Sequence, residues 1–204
     1  DIAIINFQVH PDTIGGCSYS ADYPGFVRSA FESAVPGAKC IYFNGAEGDS
    51  NHVNVFPEPG DLNGLATDTF DDVARGYNHS RHMGLAIEGA ALQVYEKAAP
   101  VSSGKVCFLQ QVVKIPSQKG NPSQLYEAER IIRLHDSGRD NELPYRGMLL
   151  TTVVAEAQRI KDMADGPNFF ELNVSGISFG DVAFVGIPGE PFTDVGRSIK
   201  AQSP

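Results

Sequence analysis

The predicted fold of this chain starts from DIAIINFQVHP, residues 1–11, where a run of apolar residues ends at a histidine followed by a proline. Ile2 to Ile5 are apolar without alternation, which is typical of a strand buried on both faces. In α/β proteins, the polar residues that follow such a strand lie at its end, where ligands bind. His10 is therefore the first candidate functional residue.

Helix and strand patterns alternate through the rest of the chain. Ser20 or Asp22 is predicted to cap a helix that ends before Pro36. Further helices are predicted over residues 72–98, 122–135, 148–163 and from about 195, and strands over 39–44, 105–115, 170–175 and 182–187. The last of these strands is apolar on both faces, which predicts a central position. The fold class is therefore α/β, with a mixed β-sheet, including an antiparallel hairpin, flanked by helices.

The two ends of the sequence predict that it belongs to a longer domain. The chain begins inside an apolar strand, and the helix pattern at its end reaches only Ser203. We interpret residues 1–204 as part of one catalytic domain that lacks its N-terminal and C-terminal portions. Residues 53–70 contain two prolines and two glycines among few periodic apolar positions, which predicts an irregular lid or rim of a site.

Composition narrows the functional classes. With 204 residues, 42% of them hydrophobic and 20% charged, the chain can bury a substantial core. Its net charge of −9 opposes binding to nucleic acid or to anionic lipid surfaces. No apolar run approaches the roughly 18 residues of a transmembrane segment. The three cysteines have no CxxC spacing and are predicted to be buried thiols.

Three loops that follow apolar strands carry polar residues suited to chemistry. They contain His10, residues 48–52 and Glu190 respectively. Imidazole and carboxylate are suitable zinc ligands, although a catalytic zinc commonly takes three protein ligands and only two are obvious here. Ordinary structural interpretations stay open, because a histidine before proline can end a strand, PGEP can be a plain turn, and Gly48 with Asp49 can form an Asx turn.

The other histidines are also open to two interpretations. His79 and His82 share one face of a predicted helix and can bind a metal, but a solvated polar face is the favoured interpretation because no acidic partner lies at helical spacing. His52 either lines the pocket beside Asn51 or caps the loop. His135 is interpreted as a favourable charge at a helix C-terminus.

Four blocks in a fixed order carry a resemblance to a known family: NFQVHP (6–11), SADYPG (20–25), FNGAEGDSN (43–51) and FGDVAFVGIPGEPF (179–192). Together they resemble the catalytic domain of the neutral/alkaline, non-lysosomal ceramidases, particularly the bacterial ceramidase-like branch. In that family two histidines, a glutamate and a tyrosine hold a zinc ion that hydrolyses the amide of an N-acylated sphingoid base. The resemblance implies a zinc-dependent amide hydrolase of lipid metabolism, acting on ceramide or a related N-acyl compound, and a secreted or periplasmic location.

The family's functional residues transfer only to matching positions. His10 matches the second zinc histidine and Glu190 the glutamate ligand. The resemblance assigns the other histidine and the tyrosine to motifs outside these residues, so this chain alone is not expected to hydrolyse substrate. Within the GD block it implies catalytic roles for Asp49 and Asn51, and substrate contacts from Gly48, Ser50 and His52.

One departure from the family concerns the GDxSP block, where ceramidases carry a serine and this chain carries Asn51. An amide cannot be an acyl-accepting nucleophile, but it can hold a carbonyl oxygen by hydrogen bonds. A zinc-activated water is compatible with this change. A metal-dependent hydrolase of another amide or ester, and a non-catalytic homologue with an incomplete site, are the alternatives.

Overall fold

The computed structural model describes residues 1–15, 18–52, 76–101 and 104–203. The elements in these ranges are β1 (Ile2–Phe7), α1 (Asp22–Ala34), β2 (Lys39–Asn44), α2 (Tyr77–Tyr95), β3 (Val106–Pro116), α3 (Pro122–Asp136), a 3₁₀ turn (Asp140–Glu142), α4 (Gly147–Asp165), β4 (Phe169–Phe179), β5 (Val182–Gly186) and α5 (Thr193–Gln202). The predicted α/β class is confirmed. None of the helices in these ranges is long and apolar enough to cross a bilayer.

Strands β1 and β2 form a parallel pair, in which Ile4 lies opposite Ile41. Parallel pairing requires a crossover connection, and α1 provides it. Phe31 of α1 and Cys40 of β2 form the centre of a buried cluster, against which partly buried residues of β1 and α2 pack. Ile2 and Ile4 point away from this cluster and are 69% and 45% exposed. The prediction that β1 is buried on both faces is therefore wrong for the described residues.

Helices α1 and α2 approach each other closely at Gly84. A Cβ atom at this position would lie 2.4 Å from the Phe26 Cβ and 2.9 Å from the Tyr23 carbonyl oxygen. Only glycine, which has no Cβ atom, therefore allows the two helices to approach this closely. Gly89, in the same helix, has no such neighbour, because a Cβ atom there would meet nothing within 4 Å.

Strands β3, β4 and β5 form a separate antiparallel sheet in that order. Gly180 and Asp181 connect β4 to β5, which confirms the predicted hairpin. The predicted central position of β5 is wrong, because β5 pairs with β4 alone among the described strands. An apolar strand indicates only that other elements can cover its two faces. A central position requires a neighbouring strand along both edges, and amino-acid composition does not encode which strands pair.

Helices α3 and α4 pack on each other around a second buried cluster. Its buried members are Ala128, Ile131, Leu134, Leu143 and Ala157. At the start of α3, the Asn121 side chain accepts from the Gln124 N–H while the Gln124 side chain accepts from the Asn121 N–H. This capping box and Pro122 in the first turn explain why the helix begins at its predicted position.

Other element boundaries differ from the predictions by a few residues. The N-cap of α1 is Ala21, one residue after the predicted Ser20. The Ser20 hydroxyl still accepts a hydrogen bond from the Asp22 N–H at 3.0 Å. Helix α2 ends at Tyr95, three residues before its predicted end at residue 98. Strand β4 ends at Phe179, beyond its predicted end at residue 175. Residues 53–70, the start predicted for α2 at residue 72, and Cys17 lie outside the described residues. Cys40 is buried as predicted, but Cys107 is exposed.

Candidate metal centre

Two tyrosines, the buried Tyr23 and the half-buried Tyr42, hold the segment that carries His10. The Tyr23 side chain is 0% exposed, and its hydroxyl donates to the Val9 carbonyl. The Tyr42 oxygen lies 2.9 Å from the Tyr23 oxygen, and the Tyr42 hydroxyl donates to the Phe7 carbonyl at 3.3 Å. Burial raises the pKa of both phenols, so they stay protonated and keep their donors at neutral pH. Helix α1 and β2 thus position the backbone immediately before His10.

The loop after β2, residues 45–52, binds the His10 segment on one side. The His10 N–H donates to the Ser50 carbonyl at 3.1 Å, and the Gly45 N–H donates to the Phe7 carbonyl at 2.9 Å. Within the loop, the Ser50 N–H donates to the Glu47 carbonyl at 2.8 Å, which closes a turn. The loop therefore continues the contact between β1 and β2 beyond the end of the sheet.

The same loop binds the Glu190 segment on its other side. The Gly48 N–H donates to the Pro191 carbonyl at 3.0 Å. Asp49 Oδ1 accepts from the N–H of Thr193 at 2.7 Å and from its hydroxyl at 2.8 Å. These two hydrogen bonds lower the pKa of Asp49. Loop 45–52 thus connects the two segments from which the sequence predicts metal ligands.

The charge around Glu47 shows which side chains converge on this loop. Burial raises the pKa of the Glu47 carboxyl, and His10 and the hydrogen bond from Asn44 oppose this change. The negative charges of Glu190 and Asp12 raise that pKa further. The Glu47 Oε2 atom is buried and receives no hydrogen bond from the described residues. Glu47 therefore lies within the electrostatic reach of both predicted ligands.

Asn51 and His52 pack against Asp12. The Asn51 Nδ2 donates to Asp12 Oδ2 at 3.2 Å, and the Asn51 Oδ1 accepts from the His52 N–H at 2.6 Å. The His52 Nδ1 lies 2.9 Å from Asp12 Oδ1, and the His52 side chain is 1% exposed. Because an amide nitrogen carries two hydrogens, Asn51 retains one N–H beyond its bond to Asp12.

His79 does not lie on a solvated helix face. Its ring is 5.3 Å from the ring of His52, centroid to centroid, and its Nε2 atom is buried. His82, one helical turn later, is exposed. The favoured interpretation, that both histidines lie on a solvated polar face, therefore fits His82 but is wrong for His79. The loop after β2 covers the first turn of α2, where His79 lies.

The predicted site residues occupy three neighbouring segments. Loop 45–52 contains Gly48, Asp49, Ser50, Asn51 and His52, and it is hydrogen-bonded to the segments of His10 and Glu190. The sequence predictions missed Glu47 and Asp12. Both are acidic residues within three positions of a predicted site residue, and that proximity is the signal in the sequence that could have identified them.

Zinc-type donors are present, but they do not form a complete ligand set within the described ranges. His10 and Glu190 offer an imidazole and a carboxylate, and Glu47 adds a buried oxygen. No group of three or more His, Cys, Asp or Glu side chains in residues 1–15, 18–52, 76–101 and 104–203 is arranged to hold a metal ion. The donor types therefore match those that zinc prefers, but the described residues do not by themselves build a metal site.

Comparison of the chain with protein-family models, with curated proteins and with solved structures found no match. The functional conclusion therefore depends on the residues themselves. The most informative of them are the members of loop 45–52, because they contact both candidate ligand segments.

Proposed function

We propose that this chain carries the zinc-binding core of a ceramidase-like amide hydrolase that acts on ceramide or another N-acyl substrate. The observation that carries the proposal is that loop 45–52 is hydrogen-bonded both to the segment of His10, through the Ser50 carbonyl, and to the segment of Glu190, through the Gly48 N–H. His10 and Glu190 come from opposite ends of the chain, yet loop 45–52 brings their segments together. An imidazole and a carboxylate are ligands that zinc prefers.

A cation also suits the charge of this region. Glu190 and Asp12 each repel the charged form of Glu47, since both raise the pKa of that carboxyl. A divalent ion held by His10 and Glu190 would offset this repulsion. Bound zinc supplies the hydrolytic chemistry by polarising the amide carbonyl and lowering the pKa of water to about 7. The resemblance to ceramidases implies a second histidine and a tyrosine as the remaining ligands.

Asn51 is proposed to hold the substrate rather than to attack it. Its amide is oriented by the bonds to Asp12 and to the His52 N–H, and one amide hydrogen is available to a substrate oxygen. Such a donor can stabilise negative charge that develops on a carbonyl oxygen. Because the corresponding family residue is a serine, a hydrolase of another amide or of an ester is the second candidate function.

Metal binding tests the proposal directly. The intact protein, purified without chelators and supplied with zinc, should hold about one zinc per chain, as measured by atomic absorption. H10A and E190A should each lose the metal, because removing one of few ligands opens the coordination shell. H135A is the matched control, because His135 lies at the end of α3 and pairs with Asp140 at 2.8 Å. Full zinc content in both ligand variants would overturn the proposal.

A substrate panel separates the candidate functions. Hydrolysis of ceramides in preference to short N-acyl amides and esters supports the ceramidase-like activity. Preference for a short amide or an ester supports the second candidate. If the zinc-supplied protein binds no metal and hydrolyses no member of the panel, the chain belongs to a non-catalytic homologue.

A further inference from the structure

Asp49 makes a long-range contact with the first residue of α5. Its Oδ1 accepts both the backbone N–H and the hydroxyl of Thr193, at 2.7 and 2.8 Å, across 144 positions of sequence. The N-terminal N–H groups of a helix have no partner within the helix. The local N-cap, Phe192, makes no side-chain capping bond. Asp49 therefore takes the role that a local Ser, Thr, Asp or Asn usually plays.

Gly48 fixes the other side of the same junction. Its N–H donates to the Pro191 carbonyl at 3.0 Å. A Cβ atom on Gly48 would lie 2.2 Å from the Glu190 carbonyl oxygen and 2.8 Å from the Phe192 Cδ1. The two backbones thus pack too closely for any side chain at position 48. Gly48 and Asp49 together hold the chain at Glu190 and immediately after it, and we call this pair of contacts the 48–49 clasp.

We propose that Asp49 is a positioning residue, which through Thr193 fixes the loop that presents Glu190. This role replaces the direct catalytic role implied by the family resemblance, and the inference rests on the proposed metal site. The Asp49 oxygen that accepts from Thr193 is turned toward α5, so the carboxylate acts on the ligand loop. Glu190 itself is exposed and makes no hydrogen bond among the described residues, so its orientation depends on the backbone that carries it.

Two substitutions at position 49 distinguish the loss of the hydrogen-bond acceptor from the loss of the negative charge of Asp49. D49A removes the acceptor, whereas D49N retains a neutral oxygen of the same shape that can accept from Thr193. T193V removes the hydroxyl and keeps the backbone N–H, so it tests the clasp from the other side without changing the loop after β2. D194A is the matched control, because the Asp194 side chain is 94% exposed and its charged contact among the described residues is a weak one, 3.9 Å from Arg197.

The first measurement concerns the clasp alone and uses hydrogen exchange of the Thr193 amide in the metal-free intact protein. We expect faster exchange in D49A, near-normal exchange in D49N and no change in D194A. Unchanged protection of the Thr193 amide in D49A would overturn the proposal. Because zinc is absent from this measurement, its result stands even if the proposed function fails.

The second measurement concerns the ligand loop and uses zinc titration against a chromophoric chelator. Supporting groups behind metal ligands typically contribute 10- to 100-fold to affinity, so D49A should weaken zinc binding by about 10- to 100-fold. T193V should weaken it less, and D49N and D194A should stay within about threefold of the original protein. D49A with fast Thr193 exchange but unchanged zinc affinity would overturn the positioning role, whereas full zinc content in both H10A and E190A would overturn the proposed function.

Discussion

The imidazole of His79 lies where a positive charge is disfavoured from several directions. It belongs to the first turn of α2, whose N–H groups carry partial positive charge. Burial is the largest cause that lowers the pKa of His79, and the nearby His52 and His82 lower it further. Asp22 of α1 acts in the opposite direction. Protonation of His79 therefore opposes the packing of α2 against the loop after β2.

This environment predicts an acid-sensitive stability. Because the pKa of His79 in the folded state lies below its ordinary value of 6.5, the unfolded chain binds the proton more readily. The contribution of this group to the free energy of unfolding should be complete above pH 6.5 and decline as the pH falls below it. Urea denaturation between about pH 5 and about pH 8 measures the decline.

H79Q should make the acid-side decline shallower, because the titrating group is removed. An equally steep decline in H79Q and in the original chain would contradict the prediction.

Single residues of the site differ in how well sequence predicts them. His10, Glu190 and loop residues 48–52 follow strand ends, and that position is visible in the order of apolar and polar residues. The partners of His79 and Glu47 are not visible in this way. The ring of His52 lies beside that of His79, and the charge of Glu190 acts on Glu47. The members of these pairs are tens to more than a hundred positions apart in the sequence. Such contacts depend on tertiary packing, which local patterns do not encode.

At the scale of elements, the positions of helices and strands in the sequence follow from periodicity. Which elements pack against or pair with one another does not. The bounds of β1, β2, α3 and α5 agree closely with the predictions, because caps and apolar runs are local signals. The edge position of β5 and the exposed face of β1 were missed. Both depend on which element covers a face or pairs with an edge, and the apolar pattern indicates only that a face can be covered.

The contact between α1 and α2 provides a test at this scale. G84A should lower the free energy of unfolding by about 1 to 3 kcal/mol, because a methyl group at this position overlaps the backbone and side chain of α1. G89A, in the same helix, should raise it by about 0.5 to 1 kcal/mol, because alanine favours the helix and meets no neighbour. Chemical denaturation of the two variants measures the difference. Equal stability of G84A and G89A would show that the helices do not approach closely at Gly84.

At the scale of the whole molecule, the described chain has two well-packed clusters and one open sheet. The clusters lie between α1, α2 and the parallel strands, and between α3 and α4. Every residue of β3 is exposed, including Phe108 at 67% and Leu109 at 71%. Apolar surface of this kind promotes association, and an edge strand adds unpaired backbone groups.

Replacing one exposed residue of this sheet should change association without changing stability. L109T should reduce binding of an apolar fluorescent dye and concentration-dependent light scattering, while changing the free energy of unfolding by less than about 0.5 kcal/mol. Threonine is β-branched, a shape that strands favour, so the polar replacement is compatible with β3. L134T is the contrasting variant, because Leu134 is 8% exposed in the α3–α4 cluster, and it should lower the stability by about 2 to 5 kcal/mol. Unchanged dye binding and scattering in L109T would contradict this assignment of the associating surface.

The close backbone contact at Gly48 constrains how this protein can be redesigned. A library that varies the PGEP loop for new substrates will yield working variants only if the facing glycine is retained and the loop backbone keeps its path. Loops exchanged with a relative should therefore be transferred as a matched pair, residues 45–52 together with 188–193. A single-loop graft would place two incompatible surfaces against each other, although the exchanged segments are far apart in the gene.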